Sequence, residues 1–315
     1  GVRPLLSIIV PTYNEEPNVG RLLARVDEAL RGVPYELILV DDNSADKTVE
    51  VALLARISGM LKVFRKRRRG GKPESLSIGL EMAEGTYVTF LDADLEYPPE
   101  VLPQMLKLAL ERGADAVAAA RIDKRPFYRK AVSAGARLLT KLLVPELRRL
   151  KDPTTELVLA RRDLLRAIGL ERHARYIKPL TSALAEAARR GAKFAEHIVE
   201  VTPRAQGNSN FKLGWIPAYL RELMDITDWF LPKYIAVALA AALVARALNP
   251  YIGPLSLAVS PLVSYALLRK YIGIIAPFAA QAASVAIKII AMPVLDVAAL
   301  IIAAAVKVVL VALLR

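Results

Sequence analysis

Short apolar runs alternate with segments of helical spacing in the first part of the chain. Runs rich in aliphatic and β-branched residues predict strands at 5–10, 36–40, 61–64, 86–91 and 114–119. Apolar positions three and four apart predict helices at 18–30, from Ser44 or Asp46 to about 57, at 74–83 and at 99–111. This alternation predicts an α/β fold, with a mainly parallel sheet and helices on both faces. Helix-rich sequence is predicted from about 128 to 190, and a strand at 196–201.

Beyond Leu231 the pattern changes to long apolar stretches in which Asp296 is the only acidic residue. The hydrophobic content of the whole chain, 54%, exceeds that of an ordinary soluble domain. Four apolar segments follow, at 233–248, 252–268, 271–290 and 293–314. Several of them are near the lower length limit for a membrane-spanning helix, about 17 residues. We therefore expect an all-α transmembrane domain of about four spans, in two hairpins, at 233–315. Partly re-entrant segments are the alternative.

An amphipathic segment precedes these spans. Residues 211–234 contain both tryptophans of the chain, Trp215 and Trp229. Aromatic side chains beside hydrophobic spans are typical of a membrane interface, which predicts interface helices at 211–232. A helix packed on the soluble domain is the alternative. The predicted organisation is a soluble domain at 1–210, interface helices at 211–232 and a membrane domain at 233–315.

The net charge of +13 suits an anionic partner. Nucleic acid is one such partner, but the chain has no nucleic-acid motif, and basic clusters beside apolar spans favour membrane lipids. The chain has no cysteine, which excludes disulfides and thiol catalysis. The first residues lack the pattern of a secretory signal peptide. We therefore expect a multi-pass protein of the cell membrane whose soluble domain is cytoplasmic.

Two carboxylates follow the fourth predicted strand at once. Asp92 and Asp94 are two positions apart, so in a continuing strand both would lie on the same face. The carboxyl ends of parallel strands form the crevice in which α/β sheets bind ligands. Two hard oxygen donors at that place suit Mg²⁺ or Mn²⁺ carrying a diphosphate. A pair of solvated loop acids is the alternative interpretation.

Four motifs occur in an order and spacing that resemble the family 2 glycosyltransferases. They are Pro11-Thr12-Tyr13-Asn14-Glu15, Val40-Asp41-Asp42-Asn43-Ser44, Asp92-Ala93-Asp94 and Tyr97-Pro98-Pro99-Glu100. The last of these, with Pro126-Phe127-Tyr128-Arg129-Lys130 downstream, is most similar to the dolichol-phosphate mannose synthases. The resemblance covers about residues 5–215 and implies a GT-A type, Rossmann-like fold.

The resemblance also implies roles for individual residues on the donor side. Asp92 and Asp94 would hold the metal, with Glu96 as a third ligand where the family usually has Gln. The nucleotide would contact the following residues: Pro11, Tyr13, Glu15, Asp41, Asp42, Gly71, Lys72, Asp92 and Ala93.

On the acceptor side the resemblance implies a set of basic residues that hold a lipid phosphate. Arginine forks match phosphate oxygens well. The expected phosphate-binding residues are Arg121, Arg129, Ser133, Lys178 and Arg204. Asp92, Asp94, Arg121 and Arg129 are the expected catalytic residues. Where the family usually has Asp-Pro-x-Ser-Gly, this chain has Asp152-Pro153-Thr154-Thr155-Glu156, and Glu156 lacks the backbone freedom of glycine.

The expected activity follows from this resemblance. It is inverting, metal-dependent transfer of mannose from GDP-mannose to dolichyl phosphate, giving a β-linked product. The same reaction with a UDP-sugar and polyprenyl phosphate is the first alternative, and a non-catalytic lipid-binding scaffold is the second. A processive polysaccharide synthase is disfavoured because the Gln-x-x-Arg-Trp motif is absent. Assembly into a homo-oligomer is left open by the sequence.

Overall fold

A computed structural model describes residues 3–123, 127–173, 176, 178–201 and 215–227. The described strands form one sheet with the order β3-β2-β1-β4-β6-β5-β7. They are β1 (Leu6–Thr12), β2 (Tyr35–Asp41), β3 (Met60–Arg65), β4 (Tyr87–Phe90), β5 (Ala116–Asp123), β6 (Val158–Arg161) and β7 (Phe194–Val201). Only β6 runs antiparallel to its neighbours in this sheet, so the predicted mainly parallel sheet is confirmed.

Helices connect these strands. They are α1 (Glu16–Ala29), α2 (Thr48–Leu54), α3 (Lys72–Met82), α4 (Leu102–Arg112), α5 (Phe127–Leu143), α6 (Arg162–Ile168), α7 (Leu170–His173), α8 (Pro179–Arg189) and α9 (Trp215–Ile226). The segment from about 128 to 190 is helix-rich, as predicted, but it also contains the short strand β6, which the sequence pattern did not predict. A run of four residues is too short for periodicity to separate a strand from a buried helix.

Alternate residues of the central strands bury their side chains on opposite faces of the sheet, as a strand requires. Ile8 and Leu39 belong to the core that α1 and α4 cover. Ile9 and Ile38 belong to a second core, under α3 and α8. The central strands are therefore apolar on both faces, which is typical of a parallel sheet between two helical layers.

The parallel strands bring their carboxyl ends to one edge. Thr12 at the end of β1 is in register with Asp41 at the end of β2. Ile9 is in register with Phe90, so β4 ends earlier and its continuation from Leu91 crosses the same edge. The residues that follow β1, β2 and β4 are consequently neighbours in space.

The chain divides after Ile226 into two compact units, and the fold described above is that of the first. Helix α9 packs on this unit: Leu223 and Ile226 are buried beside α8, and the Tyr219 hydroxyl lies 2.7 Å from Thr140 Oγ1. Pro217, Ala218 and Arg221 on α9 are exposed. The membrane contact of 211–232 therefore stays a prediction.

The four predicted spans at 233–315 lie outside the described residues. Within the described part of the chain, no helix has the length and apolar character needed to cross a bilayer.

We expect Gly79→Ala to lower the thermal unfolding midpoint. A Cβ at Gly79 of α3 would lie 2.4 Å from Ile9 Cγ2, and Ile9 is fully buried in the sheet. Overpacking of this kind costs about 1–3 kcal/mol. Gly135→Ala in α5 is the control, because nothing lies within 4 Å of a Cβ there. Equal midpoints for the two variants in a thermal scan would contradict this packing.

Candidate active site

An acidic pair lies directly after β4. The Leu91 N–H still donates to the Ile9 carbonyl at 3.0 Å, so the chain leaves the sheet at a fixed point. The Asp92 side chain is 30% exposed. Asp94 is buried and accepts a hydrogen bond from the Glu96 N–H at 3.1 Å. The structure thus places both predicted metal ligands in one turn at the carboxyl edge of the sheet.

The turn that carries this pair is fixed by packing. Leu95 has a φ of 60°, a left-handed conformation that costs a non-glycine residue roughly 1–2 kcal/mol. Its side chain is buried in the core shared with α1 and α4. Ala93, predicted to contact the nucleotide, is buried between the two acids. Core packing on both sides of Asp94 therefore sets the direction of the turn.

A series of ion pairs connects Asp92 of the acidic pair to two lysines and a glutamate. Lys72 Nζ lies 2.7 Å from Asp92 Oδ1 and 2.5 Å from Glu156 Oε2. Lys178 Nζ donates to the other oxygen of Glu156, Oε1, at 2.8 Å. We call Lys72, Glu156 and Lys178 the lysine–glutamate cluster. It joins the start of α3, the segment before β6 and the start of α8.

Burial and neighbouring charges shift the pKa values of Asp92 and Glu156. Burial raises the pKa of Asp92, and the charges of Glu156 and Asp94 add to that effect against the opposing ammonium of Lys72. Burial also opposes ionisation of Glu156, but Lys178 and Lys72 outweigh it and hold the pKa of that carboxyl well below its usual value. A further cation beside Asp92 would oppose the rise in its pKa by stabilising the ionised carboxylate.

The acidic pair fits a divalent metal that arrives with a diphosphate. Mg²⁺ usually takes one or two protein carboxylates and completes its shell with water and substrate phosphate oxygens. Among the described residues, no three acidic or histidine side chains converge on one point as a ready-made metal site. Asp92 and Asp94 match the two-carboxylate pattern, and Glu96 as a third ligand stays a prediction.

Asp41, predicted to contact the nucleotide, is engaged with the protein itself. Its side chain is fully buried and accepts hydrogen bonds from Thr12 Oγ1 at 3.1 Å and from the Ser44 N–H at 2.8 Å. These bonds tie the end of β1 to the turn after β2. In this structure Asp41 therefore fixes the shape of the edge.

Asp42 anchors the loop that leads to α3. It accepts hydrogen bonds from the N–H groups of Gly70 at 2.8 Å and Gly71 at 3.0 Å, and it pairs with Lys66 Nζ at 2.6 Å. Burial raises the pKa of Asp42, but the Gly70 N–H and Lys66 outweigh burial and lower it below the usual value. Gly71 has a φ of 83°, which a side chain would strain. The loop thus delivers Lys72 to the acidic pair.

The residues after β1 lie at the same edge. The Tyr13 ring is 37% exposed, and the Arg69 guanidinium lies 3.8 Å from its centroid, in a cation–π contact. Glu15 accepts a hydrogen bond from Asn18 Nδ2 at 2.8 Å, and Pro11 is half-buried. Arg69 therefore covers one face of the ring on which a base could stack. The sequence did not indicate this contact.

Arg121, expected to bind the acceptor phosphate, is paired with a buried acid. Its Nε donates to Asp152 Oδ2 at 2.5 Å, and its Nη2 donates to Asp152 Oδ1 at 3.1 Å and to Thr154 Oγ1 at 2.8 Å. Both charged side chains are less than a tenth exposed. This bidentate pair fixes the loop that presents Glu156.

The other predicted acceptor residues are only partly described. Ser133 lies in α5, one turn after Arg129. The Arg129 side chain lies outside the described part of the structure. Lys178 joins the lysine–glutamate cluster. Arg204 lies outside the described residues. The structure therefore brings Lys178 to Glu156 and leaves the phosphate contacts of Lys178, Arg129 and Arg204 as predictions.

Lys66 is a residue whose importance the sequence analysis missed. It belongs to a basic run that resembles a solvated loop, yet its side chain is only 5% exposed. The register of β2 against β3 is the feature that indicates a partner for Lys66. Because Asp41 is opposite Arg65 in the parallel pair β2 and β3, the next residues along, Asp42 and Lys66, become neighbours.

A known family covers the residues that build this edge. The profile described as glycosyl transferase family 2 matches residues 7–167, just over half of the chain. The chain belongs to glycosyl transferase family 2. The family assignment inferred from the four motifs is thereby confirmed.

Two named glycosyltransferases are similar in sequence to parts of this chain. A dolichol-phosphate mannosyltransferase from Pyrococcus furiosus is 33% identical over 230 residues, which are 71% of this chain and 64% of that protein. An undecaprenyl-phosphate 4-deoxy-4-formamido-L-arabinose transferase from Photorhabdus laumondii is 35% identical over 133 residues, 41% of each protein. The chain thus spans less than two thirds of the length of these relatives.

A solved structure shares the fold. Glucosyl-3-phosphoglycerate synthase from Mycobacterium tuberculosis, in complex with Mn²⁺, UDP and glucosyl-3-phosphoglycerate, is similar with a TM-score of 0.55 and 23% identity. The match covers 71% of this chain and 78% of that one. It confirms the predicted GT-A type arrangement of the family 2 domain.

We expect Asp152→Asn to destabilise the protein strongly. The substitution leaves the Arg121 guanidinium buried without its counter-charge, and breaking a buried pair in this way costs about 3–5 kcal/mol. The measurement is the midpoint of chemical or thermal unfolding. Asp163→Asn is the matched control, since its ion pair with Arg161 is exposed. A midpoint shift as small as that of the control would disprove the stabilising contribution of the pair.

The same pair predicts a pH dependence of stability. Burial raises the pKa of Asp152, but the hydrogen bonds and charge of Arg121 outweigh burial and lower it below its ordinary 3.8. A carboxyl with a depressed folded-state pKa contributes stability that is present above its unfolded pKa and lost as pH falls through its folded pKa. Between about pH 5 and pH 2 the unfolding midpoint should therefore fall less steeply in Asp152→Asn than in the parent.

Proposed function

We propose that this chain is an inverting glycosyltransferase that moves mannose from GDP-mannose to dolichyl phosphate. The observation that carries the proposal is the series of ion pairs that connects Asp92 to Lys72, Glu156 and Lys178 at the carboxyl edge of a family 2 sheet. Asp92 and Asp94 provide anionic oxygens for a metal on the donor diphosphate, and Lys178 provides a cation on the opposite side of Glu156. The mannosyltransferase from Pyrococcus furiosus, matched over 71% of this chain, supports the choice of sugar and lipid.

The reaction requires a leaving diphosphate and an attacking phosphate in line with the anomeric carbon. Asp92 and Asp94 would hold Mg²⁺ or Mn²⁺, which when bound neutralises the charge on the departing nucleoside diphosphate. Lys72, on the first turn of α3, lies where it can contact the same phosphates. An oxygen of the lipid phosphate forms the new bond to the anomeric carbon, while the bond from that carbon to the donor diphosphate oxygen breaks.

No general base is required in this mechanism. A phosphate monoester is already anionic at neutral pH, so its oxygen attacks without losing a proton in the rate-limiting step. The protein contributes orientation and charge: basic side chains on the acceptor phosphate, and the acidic pair with Lys72 on the donor. A single displacement inverts the anomeric centre, which converts an α-linked donor into a β-linked lipid product.

The membrane location is part of the proposal. The apolar segments at 233–315 would anchor the chain in the cell membrane, with the catalytic unit on the cytoplasmic side, where a lipid phosphate is within reach. Anionic lipids complement the net charge of +13.

A second donor is favoured by a specific observation. Glucosyl-3-phosphoglycerate synthase of the same fold is described with UDP and Mn²⁺, and relatives of this chain act on undecaprenyl phosphate. A UDP-hexose and a polyprenyl phosphate therefore form the alternative substrate pair.

The test is a transfer assay with the full chain in detergent or liposomes. It contains Mn²⁺, dolichyl phosphate and, in separate reactions, labelled GDP-mannose, UDP-glucose or UDP-N-acetylglucosamine, and it measures label that moves to the organic phase. Label from GDP-mannose alone is the expected result. Label from a UDP-sugar would overturn the donor, and binding of dolichyl phosphate with no transfer from any donor would favour a non-catalytic lipid-binding protein.

We expect Asp94→Asn to reduce transfer by more than about a hundredfold, since several kcal/mol of charge stabilisation depend on the metal-holding pair. The readout is kcat at saturating donor, together with Mn²⁺ affinity in the presence of the nucleoside diphosphate. Glu111→Gln, a surface acid of α4 paired with Lys107, is the control. Unchanged transfer by Asp94→Asn would disprove the metal assignment.

A further inference from the structure

Glu156 occupies an unusual place between two cations of different elements. One of its oxygens contacts Lys72, from the start of α3, and the other contacts Lys178, which immediately precedes α8. The carboxylate is about a third exposed, so it lies at the surface of the crevice rather than in the core. One side chain therefore sets the positions of two ammonium groups at once.

The two lysines lie on the two sides of the reaction proposed above. Lys72 also contacts Asp92, at 2.7 Å, and so belongs to the donor side. Lys178 precedes α8, and its N–H donates to Glu222 Oε2 of α9, a helix of the region expected to approach the membrane. Without the carboxylate between them, like charges would separate the two ammonium groups.

The contact of Lys72 with both Asp92 and Glu156 has a consequence for metal binding. A divalent cation beside Asp92 repels the Lys72 ammonium, because the two carry charge of the same sign. Glu156 gives Lys72 a second anionic partner, so the lysine can leave Asp92 and still remain in the crevice. If a neutral side chain replaced Glu156, Lys72 would pair more fully with Asp92 and would compete with the metal for that carboxylate.

We propose that Glu156 is a positioning residue that holds Lys72 for the donor diphosphate and Lys178 for the acceptor phosphate. Binding of the two substrates then depends on one carboxylate, although Glu156 itself touches neither substrate. This inference rests on the proposed function for the assignment of the two sides, and it adds a residue that couples them.

The experiment compares Glu156→Gln, Glu156→Asp, Lys72→Gln and Lys178→Gln in the full chain in detergent, with two binding readouts that need no turnover. Calorimetry with Mn²⁺ measures the affinity for GDP and, separately, for UDP. The rise of the thermal midpoint with dolichyl phosphate concentration measures the affinity for the lipid phosphate. The matched control is Glu186→Gln in α8, whose carboxylate also pairs with two cations, Arg189 and Arg190, away from the crevice.

Glu156→Gln should weaken binding of both the diphosphate and the lipid phosphate by about tenfold, because Lys72 and Lys178 are then no longer held in place for their charge-assisted contacts with the two phosphates. Lys72→Gln should weaken chiefly the diphosphate and Lys178→Gln chiefly the lipid. Glu156→Asp, which keeps the charge, should recover part of both affinities. Adding Glu156→Gln to Lys178→Gln should then weaken the lipid phosphate little further, because the two side chains act through one contact.

A lower unfolding midpoint in Glu156→Gln with both affinities unchanged would overturn the proposal and leave Glu156 a structural ion pair. Loss of only one affinity would overturn the coupling of the two sides. These results are distinct from a failure of the proposed function. If the parent transfers no mannose, the donor assignment fails, while the diphosphate and lipid affinities still decide what Glu156 does.

Discussion

Burial of the central parallel strands on both faces is the constraint on which the rest of the structure depends. Strands β1, β2 and β4 lie between two apolar cores, so a charged side chain within them would need a buried partner. Glu36 in β2 meets this condition, because it is fully buried and pairs with Lys62 Nζ at 2.7 Å. An acidic side chain without a buried partner is tolerated only where these strands end. Asp41, Asp42, Asp92 and Asp94 all lie at that edge. Acids that can meet a ligand are consequently found where the strands end.

The acids near the crevice form two groups that differ in burial and in their bonding partners. Asp41 and Asp152 are almost completely buried and saturated with hydrogen bonds from the protein, so they shape the loops around the site. Asp92 and Glu156 are about a third exposed and are paired with lysines, whose ammonium groups can exchange partners. The first group gives rigidity, and the second group leaves charge that a ligand can use.

Local pattern was sufficient for most of the strands and helices and for the position of the acidic pair. It missed the short strand β6, and it was insufficient for partners distant in sequence. Asp92 and Asp94 were located because a β-branched run ends directly before them. The partner of Arg121 is 31 residues away, and no periodicity links the two. Glu156 was recognised only as a departure from a motif, because its contact with Lys72 spans 84 residues. Contacts of this kind depend on the order of strands in the sheet, which spacing along the chain does not determine.

The left-handed turn at Leu95 determines when the conformational entropy of the loop that carries Asp92 and Asp94 is lost. A leucine adopts this conformation only because its side chain is buried in the core, so the bend forms together with the core. The ordering cost is therefore incurred once, during folding, and a metal or diphosphate that arrives later meets a loop that is already bent. Under the proposed function, product release would proceed without unravelling the turn, and each catalytic cycle would begin with the two carboxylates in the same arrangement.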